Sequence, residues 1–188
     1  MLKREGKWNV KAVILIALIG IIMGVVYIYV FNPLYNSTKF ALNFVGLGPL
    51  ADEIYSGLWY MAAPLAMYFV PTIGSGLIGE TLAATVEMAF GGQWGALTII
   101  EGAVQGAFNE IGFFPKKERY DRYSWTSLII GAICCHIAAF VMCYFLYGWS
   151  AYKPVLLIEM FIAGLISSVV FDAVLVKLIT KLFDKAMA

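Results

Sequence analysis

Charge is what this sequence has least of. Only 13% of its 188 residues are charged, against 62% that are hydrophobic, and the mean hydropathy is +0.83. A water-soluble domain carries roughly 25% charged residues, so this chain cannot cover its apolar surface in water. The solvent for most of it is lipid. Histidine is equally scarce: His136 stands alone, and no HExxH or His-rich set offers to hold a metal. Three cysteines form no framework, since Cys134 and Cys135 are adjacent and Cys143 lies two helical turns on in the same apolar run. They read as small hydrophobes. No P-loop GxxxxGK[ST] is present, which excludes ATP hydrolysis by that route, and no cofactor motif stands out. Gly74-Ser75-Gly76-Leu77-Ile78-Gly79 matches GxGxxG, but no strand precedes it. A net charge of +1 leaves no basic patch for nucleic acid.

What the chain has in plenty is apolar runs. A spanning helix needs about 20 mostly apolar residues, and the runs divide at Asn32-Pro33, Pro71, Gly91-Gly92, Pro115 to Arg122, and Gly148 to Pro154. The pattern predicts an all-α, integral membrane six-helix bundle, with helices at about 10–31, 50–70, 73–90, 95–114, 124–147 and 155–181. Residues 1–188 read as one transmembrane domain. The run from Val10 exceeds the usual signal-peptide core and reads as a first span. Orientation follows from the cations. With the N-terminus inside, the inner segments carry Lys3, Arg4, Lys7, Lys11, Lys116, Lys117, Arg119, Arg122, Lys177, Lys181 and Lys185, and the outer ones only Lys39 and Lys153. That imbalance predicts both termini on the cytoplasmic side.

In lipid an ionisable side chain is costly, about 2.5–3.5 kcal/mol on insertion scales, and normally faces a cavity or a partner. Six fall inside the predicted spans: Glu80, Glu87, Glu101, Glu110, Glu159 and Asp172. Glu80 and Glu87 are nearly two turns apart and share a helix face, as do Glu101 and Gln105 one turn apart. The topology gathers Glu87, Glu101, Gln105 and Glu159 in the outer half, framed by Tyr55, Trp59, Trp94 and the aromatics around the last outer loop. An acidic, amide-bearing hollow of this kind suits a cationic or donor-rich ligand, with Trp59 and Trp94 able to stack on it. The same aromatics also suit an interfacial belt. Glu110 and Asp172 read as structural, and His136 as a helix–helix hydrogen bond. Ala17, Gly20 and Gly24 form a small-residue stripe that lets another helix approach, from this chain or from a partner.

Three segments carry a likeness: Ile54-Tyr55-Ser56-Gly57-Leu58-Trp59, Glu80 to Glu87 (ETLAATVE) and Gly102 to Glu110 (GAVQGAFNE). With the six-span topology, they resemble the S components of energy-coupling factor (ECF) transporters, most closely the YkoE-like family associated with thiamine and its hydroxymethylpyrimidine precursor. The resemblance implies a substrate-capture subunit in the plasma membrane. Such a subunit binds its vitamin at the outer face and docks on a transmembrane scaffold (T) subunit driven by two cytoplasmic ATPases. It implies no enzyme activity in this chain. Ala17, Gly20 and Gly24 would then face the scaffold. Glu87 would accept from the ligand's exocyclic amine, and Trp59 or Trp94 would stack on a ring, with Gln105, Tyr55, Glu80, Glu101 and Glu159 around them. Two other classes stay open on the residues alone: a membrane enzyme acting on a lipid headgroup, and an autonomous proton-coupled carrier.

Overall fold

A computed structural model describes residues 6–186; Lys3 and Arg4 lie outside the described residues. Those residues contain helices and turns and no strand. The elements are α1 (Val10–Asn43), α2 (Leu50–Ile54), α3 (Ala62–Phe69), α4 (Ser75–Ala89), α5 (Leu97–Asn109), α6 (Lys117–Arg122), α7 (Trp125–Leu146) and α8 (Pro154–Ala186). Short 3-10 turns stand at Ser56–Tyr60, Glu110–Gly112 and Trp149–Ala151.

Among the described residues three helices are long and apolar enough to cross a membrane: α1, α7 and α8. With 15 and 13 residues, α4 and α5 reach only about 22 and 20 Å at 1.5 Å per residue, short of a hydrocarbon core of about 30 Å. They pack mainly on each other, with α4 also against α1 and α3, and α5 against α7.

The first helix does not stop at Asn32-Pro33. It continues to Asn43, through a π turn at Tyr27–Phe31 in which the Asn32 N–H donates to the Tyr27 carbonyl. Pro33 lacks an N–H and crowds the preceding turn. The wider π turn absorbs that crowding and keeps the chain helical. In α8 a second π segment, Ser168–Leu175, carries Asp172 inward to accept from Asn109 Nδ2 at 2.6 Å.

The stretch expected as one helix over 50–70 is instead broken into α2, a 3-10 turn and α3. Pro64 lies in the first turn of α3, where its missing N–H does no harm. Broken backbone at membrane depth must find partners inside the protein. Here the Ala63 N–H donates to Glu80 Oε2 at 2.8 Å, the Ala62 N–H to the Tyr27 hydroxyl at 3.1 Å, and Tyr27 in turn to Glu80 Oε1 at 2.9 Å. Glu80 therefore caps a helix as well as facing a cavity.

The other end of the bundle is closed in the same way. Trp8 Nε1 donates to the Ile73 carbonyl at 3.2 Å, Tyr68 bonds Asp184, and Lys177 Nζ donates to the Tyr123 carbonyl at 2.5 Å. The N-terminal end thus meets the turn before α4, and α8 meets α3 and Tyr123, the residue that follows α6. Glu110 receives the α4 N-terminus, accepting from the N–H groups of Gly74 (2.9 Å), Gly76 (2.6 Å) and Leu77 (3.1 Å), with the Tyr120 hydroxyl at 3.3 Å. Burial and the nearby Glu110 carboxyl push the Tyr120 phenol above its ordinary range. Glu110→Ala leaves those helix donors unpaired. We expect it to cost about 2–3 kcal/mol and to lower Tm by roughly 5–10 °C in a detergent melt.

Candidate functional site

The end of the bundle away from Trp8 and Asp184 opens into a cavity of about 720 Å³, its mouth included. Every long element except α8 contributes to its wall. Tyr27 and Tyr35 come from α1, Asp52 and Glu53 from α2, Ser56, Trp59 and Tyr60 from the 3-10 turn, and Glu80, Ala84 and Glu87 from α4. Trp94 comes from the following turn, Thr98, Glu101 and Gln105 from α5, and Cys143, Tyr147 and Trp149 from α7 and beyond.

Glu87 is the best-defined group. It is 1% exposed, and its Oε1 accepts from Asn32 Nδ2 and Trp59 Nε1, both at 3.1 Å. Asn32 is itself oriented by Gln93, whose Nε2 donates to Asn32 Oδ1 at 3.2 Å. The second oxygen, Glu87 Oε2, is buried without a hydrogen-bond partner. A buried carboxylate oxygen left unpaired is costly, so this atom offers a strong acceptor to a donor entering the cavity. Glu101 accepts from the Tyr147 hydroxyl at 3.1 Å and the Cys143 thiol at 3.6 Å. The aromatic rings form a connected wall. Tyr35 stands 6.0 Å from Trp59 and 5.4 Å from Trp94, and Trp94 stands 6.3 Å from Tyr147. Acceptors beside offset rings are what a flat, donor-bearing heterocycle needs.

Of the residues expected from sequence, Glu87, Trp59, Gln105, Trp94, Glu80 and Glu101 meet at this cavity. Two do not. Glu159 is exposed, because α8 turns Met160, Gly164 and Ser167 inward at helical spacing and so turns the neighbouring position 159 out. Tyr55 is half-buried outside the cavity lining, its hydroxyl 3.0 Å from Thr38 Oγ1. The small-residue stripe is also placed differently. A Cβ on Gly20 would lie 2.6 Å from Leu82 Cβ, and one on Gly24 2.6 Å from the Ala83 carbonyl oxygen. Gly20 and Gly24 therefore seat α4 of the same chain and present no free face, while Ala17 is partly exposed.

Sequence reasoning missed Glu53, which is 2% exposed with Oε2 3.4 Å from His136 Nδ1. It sits where an unbroken helix would begin near the membrane surface, so its burial follows only from the break after α2. His136 does bridge two helices as expected, with Nε2 3.0 Å from the Phe161 carbonyl. Asn32 and Tyr35 were missed because the chain was read as leaving the helix at Asn32-Pro33.

The fold is shared with a solved structure. The chain matches the crystal structure of an S-component of an ECF transporter with a TM-score of 0.83 and 28% identity, covering 97% of this chain and 88% of that one. Fold and cavity together define a membrane transport subunit of the S-component type, not an enzyme. The chain belongs to the family of permease components of ABC-type cobalt transport systems, whose model matches residues 11–138, and within it is YkoE-like. It is 30% identical to the candidate HMP/thiamine permease protein YkoE of Bacillus subtilis (strain 168), over 174 residues that make up 92% of this chain and 83% of that protein. It is accordingly a multi-pass protein of the cell membrane.

Proposed function

We propose that this chain is the substrate-capture subunit of an ECF-type importer and binds thiamine or its hydroxymethylpyrimidine precursor. The observation that carries this reading is the Glu87 carboxylate, fixed by Asn32 and Trp59 with Oε2 unpaired in an aromatic-walled cavity. That oxygen accepts the exocyclic amine of the pyrimidine, while Trp59 or Trp94 stacks on a ring. Glu80, Glu101 and Gln105 complete the polar wall. The relative's name supports the substrate class, which the acceptor-rich lining also favours. Cobalt, the cargo in the family's description, fits the donors less well. Among the described residues no three His, Cys, Asp or Glu side chains come together as a metal site.

In this reading the chain forms one domain of six spans over residues 1–188, with both termini cytoplasmic and the cavity opening outward. The bond from Lys177 of α8 to Tyr123 at the end of the basic segment, and the groove that Gly6 and Trp8 share with Lys117 and Tyr120 of α6, support it. A scaffold subunit and two ATPases supply the energy, consistent with a chain that carries no P-loop. Because Gly20 and Gly24 are filled by α4, the scaffold contacts a different face.

Tryptophan fluorescence of the detergent-purified chain, titrated with thiamine, hydroxymethylpyrimidine and riboflavin, tests the substrate. Saturable quenching by the first two and none by riboflavin is expected. No response to either pyrimidine rejects the reading.

A further inference from the structure

Lys39 is placed unusually for a lysine near a helix end. Its ammonium does not extend into solvent but folds back over the chain, with the side chain 35% exposed. It donates to the Tyr35 hydroxyl at 2.5 Å and to Asp52 Oδ1 at 2.9 Å. It also stands 5.7 Å from the centre of the Trp94 ring, inside the roughly 6 Å at which a cation is drawn to an aromatic face, and it lies beyond the Tyr35 hydroxyl and not over the Tyr35 ring. Tyr35 lies one turn before Lys39 on the same helix face, and its hydroxyl donates to Asp52 at 2.5 Å. All three of its partners, Tyr35, Asp52 and Trp94, also line the cavity, whereas Lys39 does not.

We propose that Tyr35, Trp94 and Asp52 form an entrance subsite for a soluble organic cation, and that the Lys39 ammonium is a tethered surrogate which such a cation displaces. The Trp94 ring, the Tyr35 hydroxyl oxygen and the Asp52 carboxylate around one positive charge make a cation-binding site. A ring cation with delocalised charge holds its water less tightly than an ammonium does, so it settles against the Trp94 ring beside Asp52 at lower cost. Lys39 can yield without moving the backbone, because its flexible four-carbon stem reaches water within a rotamer change. The inference rests on the reading that the cavity takes a nitrogen heterocycle, and it adds charge selectivity. Lys39 competes with a cationic ligand such as thiamine and leaves a neutral one, such as hydroxymethylpyrimidine, unaffected.

The test compares the unsubstituted protein with Lys39→Gln and Lys39→Arg. Ligands are thiamine, hydroxymethylpyrimidine and a dimethylthiazolium salt that carries the cationic ring alone. Tryptophan fluorescence is read, with Trp94→Phe identifying the reporting ring. Lys39→Gln is expected to tighten thiazolium and thiamine binding roughly five- to tenfold, with hydroxymethylpyrimidine within twofold and Lys39→Arg close to the unsubstituted protein. If Lys39→Gln instead weakens thiamine and hydroxymethylpyrimidine alike, Lys39 is a latch and the proposal fails. Unchanged thiazolium binding also overturns it. If thiazolium gains while neither pyrimidine binds any form, the subsite stands and the substrate reading falls.

Discussion

Gly57→Ala is expected to lower the melting temperature of the purified chain by roughly 10 °C, a loss of about 3 kcal/mol or more. A Cβ at position 57 would lie 2.3 Å from the Ser167 carbonyl oxygen and 2.8 Å from Ser168 Cα, so it meets backbone rather than a side chain that could swing away. The Gly57 N–H also donates to Ser167 Oγ at 3.1 Å, which any separation of the two segments breaks. Gly57 lies in the 3-10 turn that carries Ser56 and Trp59, so displacing it moves the cavity wall as well. Protein that survives the substitution should therefore bind the pyrimidine ligands weakly. A thermal melt and a fluorescence titration on the same preparation check both. A melting temperature within 2 °C of the unsubstituted chain would show that α8 does not approach the turn this closely.

Glu87→Gln is expected to weaken binding of the cationic or amine-bearing ligand roughly ten- to a hundredfold, the value of one charge-assisted hydrogen bond. The substitution keeps the shape and retains an oxygen for Asn32 and Trp59, but it turns a donor toward the position of Oε2. The ligand's amine then faces an N–H instead of an acceptor. Stability should change little, or rise, because an unpaired buried charge is removed. This combination separates a ligand-binding role from a structural one. Affinity within twofold of the unsubstituted protein, measured by calorimetry with thiamine and hydroxymethylpyrimidine, would remove Glu87 from the site.

Both positions lie in the segments that carried the likeness in the sequence, yet they were legible to different degrees. Glu87 stood out because a carboxylate in an apolar run must have a reason to be there. Gly57 was visible only as one letter of a short motif. Its role depends on Ser167 and Ser168, over a hundred residues away, and no local pattern reports that crossing. Glu53 was passed over because its depth depends on where the helix breaks, and Pro64 was the one local signal of that break. Glu159 illustrates the reverse error. Depth along a helix can be counted from its end, but the rotation that turned Glu159 outward is set by packing against neighbouring helices.

By itself the sequence determined that the chain is helical and embedded in a membrane, and that its intramembrane carboxylates matter. Those conclusions follow from hydropathy, charge count and helical spacing, which are properties of neighbours along the chain. Tertiary structure decided which carboxylates meet and what the glycines seat. It carried the first helix through Pro33 on a π turn, bringing Asn32 to Glu87, and it joined Glu80 to a helix start created by a break elsewhere. The reason is physical. In a low-dielectric interior every polar group must find a partner, and where the chain leaves regular helix those partners come from distant segments.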